Sequence, residues 1–401
     1  MRRAFSGRLL TCEALLDWDG IAATAARYDR WAEQHIDAPR TLIATRRLVL
    51  LRALTGDLAG AADLSRQPPA ASRQQSPILD DMIERTALIL QPADRAVQTD
   101  HSPQDELATR EGDELHPSSF ILHPFTPAPP LPGDAARELP ALLGAEEAAL
   151  ALFQVGWAAL MQGLLRDSAP CLLRAYELAG ETGQAAGAVV TALQIAHLHA
   201  LAGAPAEIER WLNLSLDTAR RAEEAAWASI WPRIHQGFLW LLDDQLDLAE
   251  ERFASMADQL ASLPAFQSHR AGVQVGLGLV ALERHNLSGA AGLLERALAQ
   301  PQILYGFVYV AAEQGMARLA ALSGDIAGAR RTLERTLAYS ARRMLLPEYV
   351  RTSIEIARIE RDFGEPAAAL PGLRNAADLA ASAGLTPLAT AAAALMRRLS
   401  P

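Results

Sequence analysis

A small residue recurs six times along this chain at a nearly fixed interval. It falls at Gly156, Ala196, Gly237, Gly278, Ala317 and Ala357, in steps of 40, 41, 41, 39 and 40. Twelve residues after each come Ser168, Ile208, Ala249, Ala290, Ala329 and Ala369. Four further on stands a bulky residue: Leu172, Leu212, Phe253, Leu294, Leu333 or Leu373. Three beyond that lie Ala175, Ser215, Met256, Ala297, Thr336 and Ala376. A fixed period with this internal order marks a helical repeat array, in which each unit buries its apolar face against its neighbours. Such arrays present a surface for recognition.

Half of the 401 residues are hydrophobic and only 5% aromatic, which suits helices packed through alanine and leucine. The net charge of −10 argues against general nucleic-acid binding. All 37 basic residues are arginine. Without lysine there is no Walker A lysine, Schiff-base lysine or Ser-x-x-Lys dyad. Cys12 and Cys171 stand too far apart for a disulfide framework or a thiolate zinc site, so a reducing, cytoplasmic compartment is expected. Met1-Arg2-Arg3 opens on positive charge, but Glu13 and Asp17 interrupt the apolar stretch, against a signal peptide. No membrane span and no membrane partner are expected.

Three regions follow from the pattern. Residues 1–66 read as two helical hairpins with turns at Trp18-Asp19-Gly20 and Thr55-Gly56-Asp57. Residues 67–140 hold close to half of the 23 prolines and read as a disordered insertion with one possible helix over 78–90. Its His-Pro pairs, His116-Pro117 and His123-Pro124, lack a carboxylate or cysteine at metal-ligand spacing. Residues 141–401 form six helix–turn–helix units and a closing helix from Pro387 to Leu399. Turns are expected at Gly163-Leu164, Gly203 to Pro205, Asp243-Asp244, His285-Asn286, Ser323 to Asp325 and Phe363 to Pro366.

These residues resemble the tetratricopeptide consensus: Gly237, Trp240, Ala249 and Phe253 in one unit, Gly278, Ala290, Leu294 and Ala297 followed by Pro301 in the next. The period near 40 is longer than the usual 34. It is similar to the helical sensor region of bacterial regulators of the maltose-activator type, which lies between an ATPase and a DNA-binding helix-turn-helix. No phosphate loop precedes the array here, and one helix follows the last unit, so the chain reads as a stand-alone repeat protein or as a detached sensory part. The resemblance implies an all-α, right-handed superhelical solenoid of tetratricopeptide-like helical hairpins.

It also implies which residues line the concave face: those six and three before each small residue and one after it. The first row is Leu150, Val190, Trp231, Gly272, Ala311 and Arg351, and the second is Phe153, Leu193, Ile234, Val275, Gln314 and Ile354. The third is Trp157, His197, Phe238, Leu279, Arg318 and Arg358. The candidate binding residues are therefore Phe153, Trp157, Trp231 and Phe238 at an aromatic end and Arg318, Arg351 and Arg358 at a basic end. Aromatic anchors and guanidinium forks dominate binding hot spots.

No catalytic constellation competes with this reading. His197-Leu198-His199 places its imidazoles on different helix faces, unable to chelate one ion. Asp243, Asp244 and Asp247 are explained by capping at a turn. The expectation is a non-enzymatic scaffold with no cofactor and no metal. It binds a protein or peptide segment in a bacterial signalling or regulatory assembly. The alternative is a ligand-sensing module, taking a small-molecule effector, of a transcription regulator whose ATPase and DNA-binding domains are on another chain.

Overall fold

A computed structural model describes residues 77–90, 124–221, 229–242, 244–261, 266–299 and 306–399. Among the described residues there are fifteen α-helices and no strand. Two precede the array, α1 (Pro77–Leu90) and α2 (Ala135–Leu143). The units follow as pairs: α3 (Ala145–Met161) with α4 (Leu165–Glu181), α5 (Ala185–Ala202) with α6 (Pro205–Arg221), and α7 (Ile230–Leu242) with α8 (Leu246–Ala261). Then come α9 (Gln267–Glu283) with α10 (Leu287–Leu298), α11 (Gly306–Leu322) with α12 (Ile326–Arg342), and α13 (Leu346–Phe363) with α14 (Pro366–Ala383). A single helix, α15 (Thr386–Leu399), closes the series. The first helix of each pair touches the first helix of the next, forming an inner layer, and the second helices form an outer one. The described residues form an all-α solenoid of helical hairpins.

The periodic residues explain the pairing. A Cβ on Gly156 would lie 2.7 Å from Cγ of Leu172, and one on Gly237 would lie 2.7 Å from the Phe253 ring. On Gly278 it would lie 2.9 Å from Leu294. At these three glycines the small residue thus receives the bulky residue sixteen positions on, as the sequence period requires. Ser168, Ala249, Ala290, Ala329 and Ala369 are buried, whereas Ile208 is only half-buried and faces a cleft described below. The Ser168 hydroxyl donates to the Gly156 carbonyl at 2.7 Å, so the one polar residue in that row is satisfied. Asn286 and Asp325 cap their helices by accepting from Gly289 N at 3.1 Å and Gly328 N at 2.8 Å.

This register makes a specific expectation. Gly278→Leu should force α9 and α10 apart and cost about 1–3 kcal/mol through overpacking. The check is the urea midpoint of helix loss, and an unchanged midpoint would put the register in error.

Helix α5 carries no Asp, Glu or Arg and is long and apolar enough to cross a bilayer by length and composition. This corrects the expectation that no such stretch exists. Its place in the fold supplies the reason for its apolarity: it packs against α4 and α6 and against both neighbouring inner helices, with Val189, Leu193, Ile195 and Ala196 buried.

The stretch read as a disordered insertion contributes two ordered pieces. Helix α1 buries Ile78, Met82 and Ile89 against α3. Arg85 on α1 is itself buried: Nε donates to Asp81 at 2.6 Å, Nη1 to Gln162 Oε1 at 2.6 Å and Nη2 to the Pro129 carbonyl at 2.7 Å. That one guanidinium ties α1, the 124–131 segment and the first turn of the array together. Proline there shapes an extended strap rather than excluding order, because backbone groups freed by the prolines find side-chain partners. Leu131 N, for example, donates to Asp167 at 3.0 Å. The hairpins expected over residues 1–66 and the His-Pro pair at His116 lie outside the described residues.

The solenoid bends until distant units meet. Helix α5 packs against α15. Gly203 (φ +81) ends α5 in a left-handed turn, and a Cβ there would sit 3.3 Å from Pro387. Gly163 (φ +78) likewise has its Cβ direction 3.1 Å from Cβ of Leu346, at the start of α13. Phe125 stacks at 4.8 Å on Tyr349 of the same helix. Phe307 at the start of α11 lies 6.2 Å from His197 on α5 and 5.1 Å from His235 on α7. The first three units therefore face the fifth, the sixth and the closing helix across the axis.

Candidate functional site

Closure of the array leaves a cleft of about 920 Å³ between two walls. One wall is built from the ends of α5 and α7 and the starts of α6 and α8, and includes Leu201, Leu212, Asn213, Gln236, Trp240 and Gln245. The opposite wall is built from α11, α13 and α15, and includes Gln314, Arg351, Ile354, Glu355, Arg358 and Leu388. Helical periodicity puts Arg351, Glu355 and Arg358 on one face of α13, with Ile354 beneath them. Trp240 is held by Arg252, whose guanidinium lies 5.2 Å from the ring centroid. Leu242 at the rim is 75% exposed, an apolar side chain with nothing over it among the described residues.

The cations of the cleft are already matched. Arg351 donates to Glu348 at 2.9 Å, and Arg358 to Glu355 at 3.1 Å. Glu355 is also 3.5 Å from Arg318, which donates to Glu283 at 2.7 Å. Burial holds the Glu348 carboxyl above its ordinary range against the pull of Arg351, and Glu348 Oε2 is buried without a hydrogen-bond partner.

The seven residues proposed from the sequence divide accordingly. Arg351 and Arg358 line the cleft, together with Gln314 and Ile354 from the second row. Arg318 lies in an adjoining depression that shares Glu355 and Arg358 with it. The four aromatics do not line this cleft. Phe153 and Trp231 are buried in the core, and Trp157 and Phe238 pack half-buried against it. Phe307 crosses from the fifth unit to fill the space that Trp231 and Phe238 were expected to leave open, at 6.2 Å and 6.1 Å. Residues the repeat rule missed are Trp240 and Leu242, which face the cleft from the end of α7, and Gln236 and Asn213, which face it from mid-helix at positions the rule does not count.

Behind the cleft, three histidines join the aromatic group. His197 and His235 are 5.4 Å apart, and His269 is 4.7 Å from Trp231. Nδ1 of all three is buried without a hydrogen-bond partner. Burial pushes His235 down to about 4 and His269 to about 3, and lowers His197 well below its ordinary value, with His235 and Arg351 adding to the effect. A base depressed on folding contributes stability that is complete above its unfolded value of about 6.5 and lost as pH falls toward the folded value. The chain should therefore lose about 1.4 kcal/mol per histidine for each pH unit below about 6.5 until the folded value is reached. Between about pH 6.5 and 5.5 carboxylates of ordinary value contribute little and the raised Glu348 carboxyl acts in the opposite sense, so a loss of stability there comes from the histidines. Urea midpoints across this window should fall less in His269→Phe than in the parent, and parallel slopes would contradict the assignment.

No protein-family model matches this chain. No curated protein matches it. Among solved structures it is similar to the crystal structure of the APC/C hetero-tetramer Cut9-Hcn1, with a TM-score of 0.36 and 12% identity over 95% of this chain and 76% of that one. It is similar to yeast Tom70 at a TM-score of 0.36 and 14% identity, over 98% of this chain and 88% of that one. Likeness at this level says nothing about partners or activity.

Proposed function

We propose that this chain is a binding module without chemistry of its own, which seats a segment of a partner protein in the cleft. The setting we propose is a cytoplasmic bacterial signalling or regulatory assembly. The observation that supports it is the two-walled cleft itself. Its apolar floor of Leu212, Leu239 and Ile354 is flanked by Gln236, Gln314, Arg351 and Arg358, and among the described residues its lining holds no thiol, hydroxyl or imidazole nucleophile. Apolar floors with a few convergent polar groups are the usual form of a recognition site.

A photo-crosslinking amino acid placed at Leu242 in cells should capture a partner that the same group at Leu173, exposed on the outer helix α4, does not. Trp240→Ala should abolish that capture. The same proteins captured from both positions would sink the reading.

A second reading has one observation in its favour: the cleft volume of about 920 Å³ lies within the range of about 300–1,000 Å³ that small ligands occupy. It fits the resemblance to maltose-activator-type sensors, with the effector held between the two walls. A rise in thermal midpoint with protein-free cell extract, and no partner crosslinked at Leu242, would favour it over a protein partner.

A further inference from the structure

We propose that the cleft recognises an uncharged, extended polypeptide segment through its main-chain amides, with one bulky apolar side chain seated against Trp240 and Leu242. This rests on the reading that the cleft is the binding surface.

The charges point away from an acidic ligand. Arg351 and Arg358 are the cleft's cations, and each already holds a carboxylate, Glu348 and Glu355. Glu355 and Glu209 themselves face the cleft. Each guanidinium spends only Nη1 on its carboxylate, but its charge is already offset there and Glu209 adds a further negative group, so Coulomb attraction and repulsion of an incoming acid nearly cancel.

The carboxamides point to peptide groups. Asn213, Gln236 and Gln245 stand on one wall and Gln314 on the other. A carboxamide carries an NH₂ donor and a carbonyl acceptor in one plane, the same pair that each peptide unit presents, and it makes these bonds without charge. Gln236 Oε1 is buried without a partner, and a buried acceptor left unmet is costly, so turning this carboxamide toward a ligand N–H in the cleft gains a bond the free chain lacks. Gln314 Nε2 donates to Thr352 at 3.2 Å, which fixes its amide plane and directs donor and acceptor separately.

The apolar seat is a separate observation. Leu242 is the most exposed of the large hydrophobic side chains on this wall, and Trp240 beside it has the Arg252 guanidinium 5.2 Å from its ring centroid. A peptide covers both with a single side chain, whereas a polyol with the same hydrogen-bonding groups has nothing apolar to place there.

The experiment selects phage-displayed random dodecapeptides on the immobilised full chain and measures the synthetic winners by fluorescence anisotropy. Winners should carry near-zero net charge and a bulky apolar residue, and their Kd should change less than about threefold between roughly 50 and 500 mM salt. Gln236→Leu and Gln314→Leu should each weaken binding by about tenfold or more in chains that keep their full helicity at the assay temperature. N-methylation of a contacting peptide amide should do the same, with no change to the protein. Winners that are acidic, weaken more than about tenfold with salt and ignore both glutamine substitutions would overturn this inference while leaving the cleft as the binding surface. Winners that still bind Trp240→Ala at full affinity, or no winners at all, would overturn the reading of the cleft and this inference with it.

Discussion

Phe253→Ala is expected to be among the most damaging single substitutions in the array, at about 3–5 kcal/mol. The ring is fully buried, meets Phe238 edge to face at 5.1 Å and lies where a Cβ on either Gly237 or Gly276 would be. It therefore joins the third unit to the fourth through two glycines at once. The converse substitution, Gly276→Ala, adds a methyl that overlaps three atoms of the ring and should cost about 1–3 kcal/mol through overpacking. In the double variant the new methyl occupies part of the vacated space, so the combined loss should fall short of the sum by about 0.5–3 kcal/mol. Urea midpoints of the parent and three variants give the comparison. Strict additivity would mean that the ring does not lie between these glycines.

Arg330→Ala should cost about 3 kcal/mol, the lower end of what breaking a buried ion pair costs, because water reaches the vacated side. Arg330 holds Glu360 with two bonds, Nε to Oε1 at 2.6 Å and Nη2 to Oε2 at 2.7 Å. Glu360 is wholly buried and also accepts from Glu365 N at 2.8 Å, which fixes the turn into α14. Gly364 has no room for a side chain, since a Cβ there would overlap both partners. The harm in the single variant comes from the stranded carboxylate rather than from the lost bonds themselves. Replacing both partners by methionine should therefore be markedly milder than Arg330→Ala alone. A double replacement as damaging as the single one would show that the pair contributes net stability of its own.

What the sequence reveals and what it hides divide along one line. The contact between a small residue and the bulky one sixteen positions later recurs at Gly156, Gly237 and Gly278, so it leaves a period. The expected turns at Gly163, Gly203, Asn286 and Asp325 fall where the chain reverses, for the same local reason. Closure leaves no such trace, because it sums small rotations over several units and ends in unique contacts such as Gly203 with Pro387. A rule that reads one unit at a time finds Arg351 and Arg358, which sit mid-helix, and misses Trp240 and Leu242, which sit at a helix end. It also assigns Trp231 and Phe238 to an open groove, because nothing local to α7 announces that Phe307 arrives from the fifth unit. One signal was present and unused. Glu348 with Arg351 and Glu355 with Arg358 stand three apart on one helix, a spacing that foretells self-paired charges.

The cleft exists only if the array closes, and a disulfide across the closure tests that most directly. Gly163 and Leu346 belong to the first and sixth units, and their Cβ positions lie 3.1 Å apart, within a few tenths of an ångström of the range a disulfide spans. Gly163→Cys with Leu346→Cys, in a chain whose Cys12 and Cys171 are replaced by serine and alanine, should oxidise to a single intramolecular crosslink in native buffer. The product should migrate faster on a non-reducing denaturing gel, and the reaction should fail when the chain is first unfolded in urea. A folded, fully helical variant that forms no crosslink would mean an open solenoid, with the wall of Trp240 and Gln236 and the wall of Arg351 and Arg358 never facing one another.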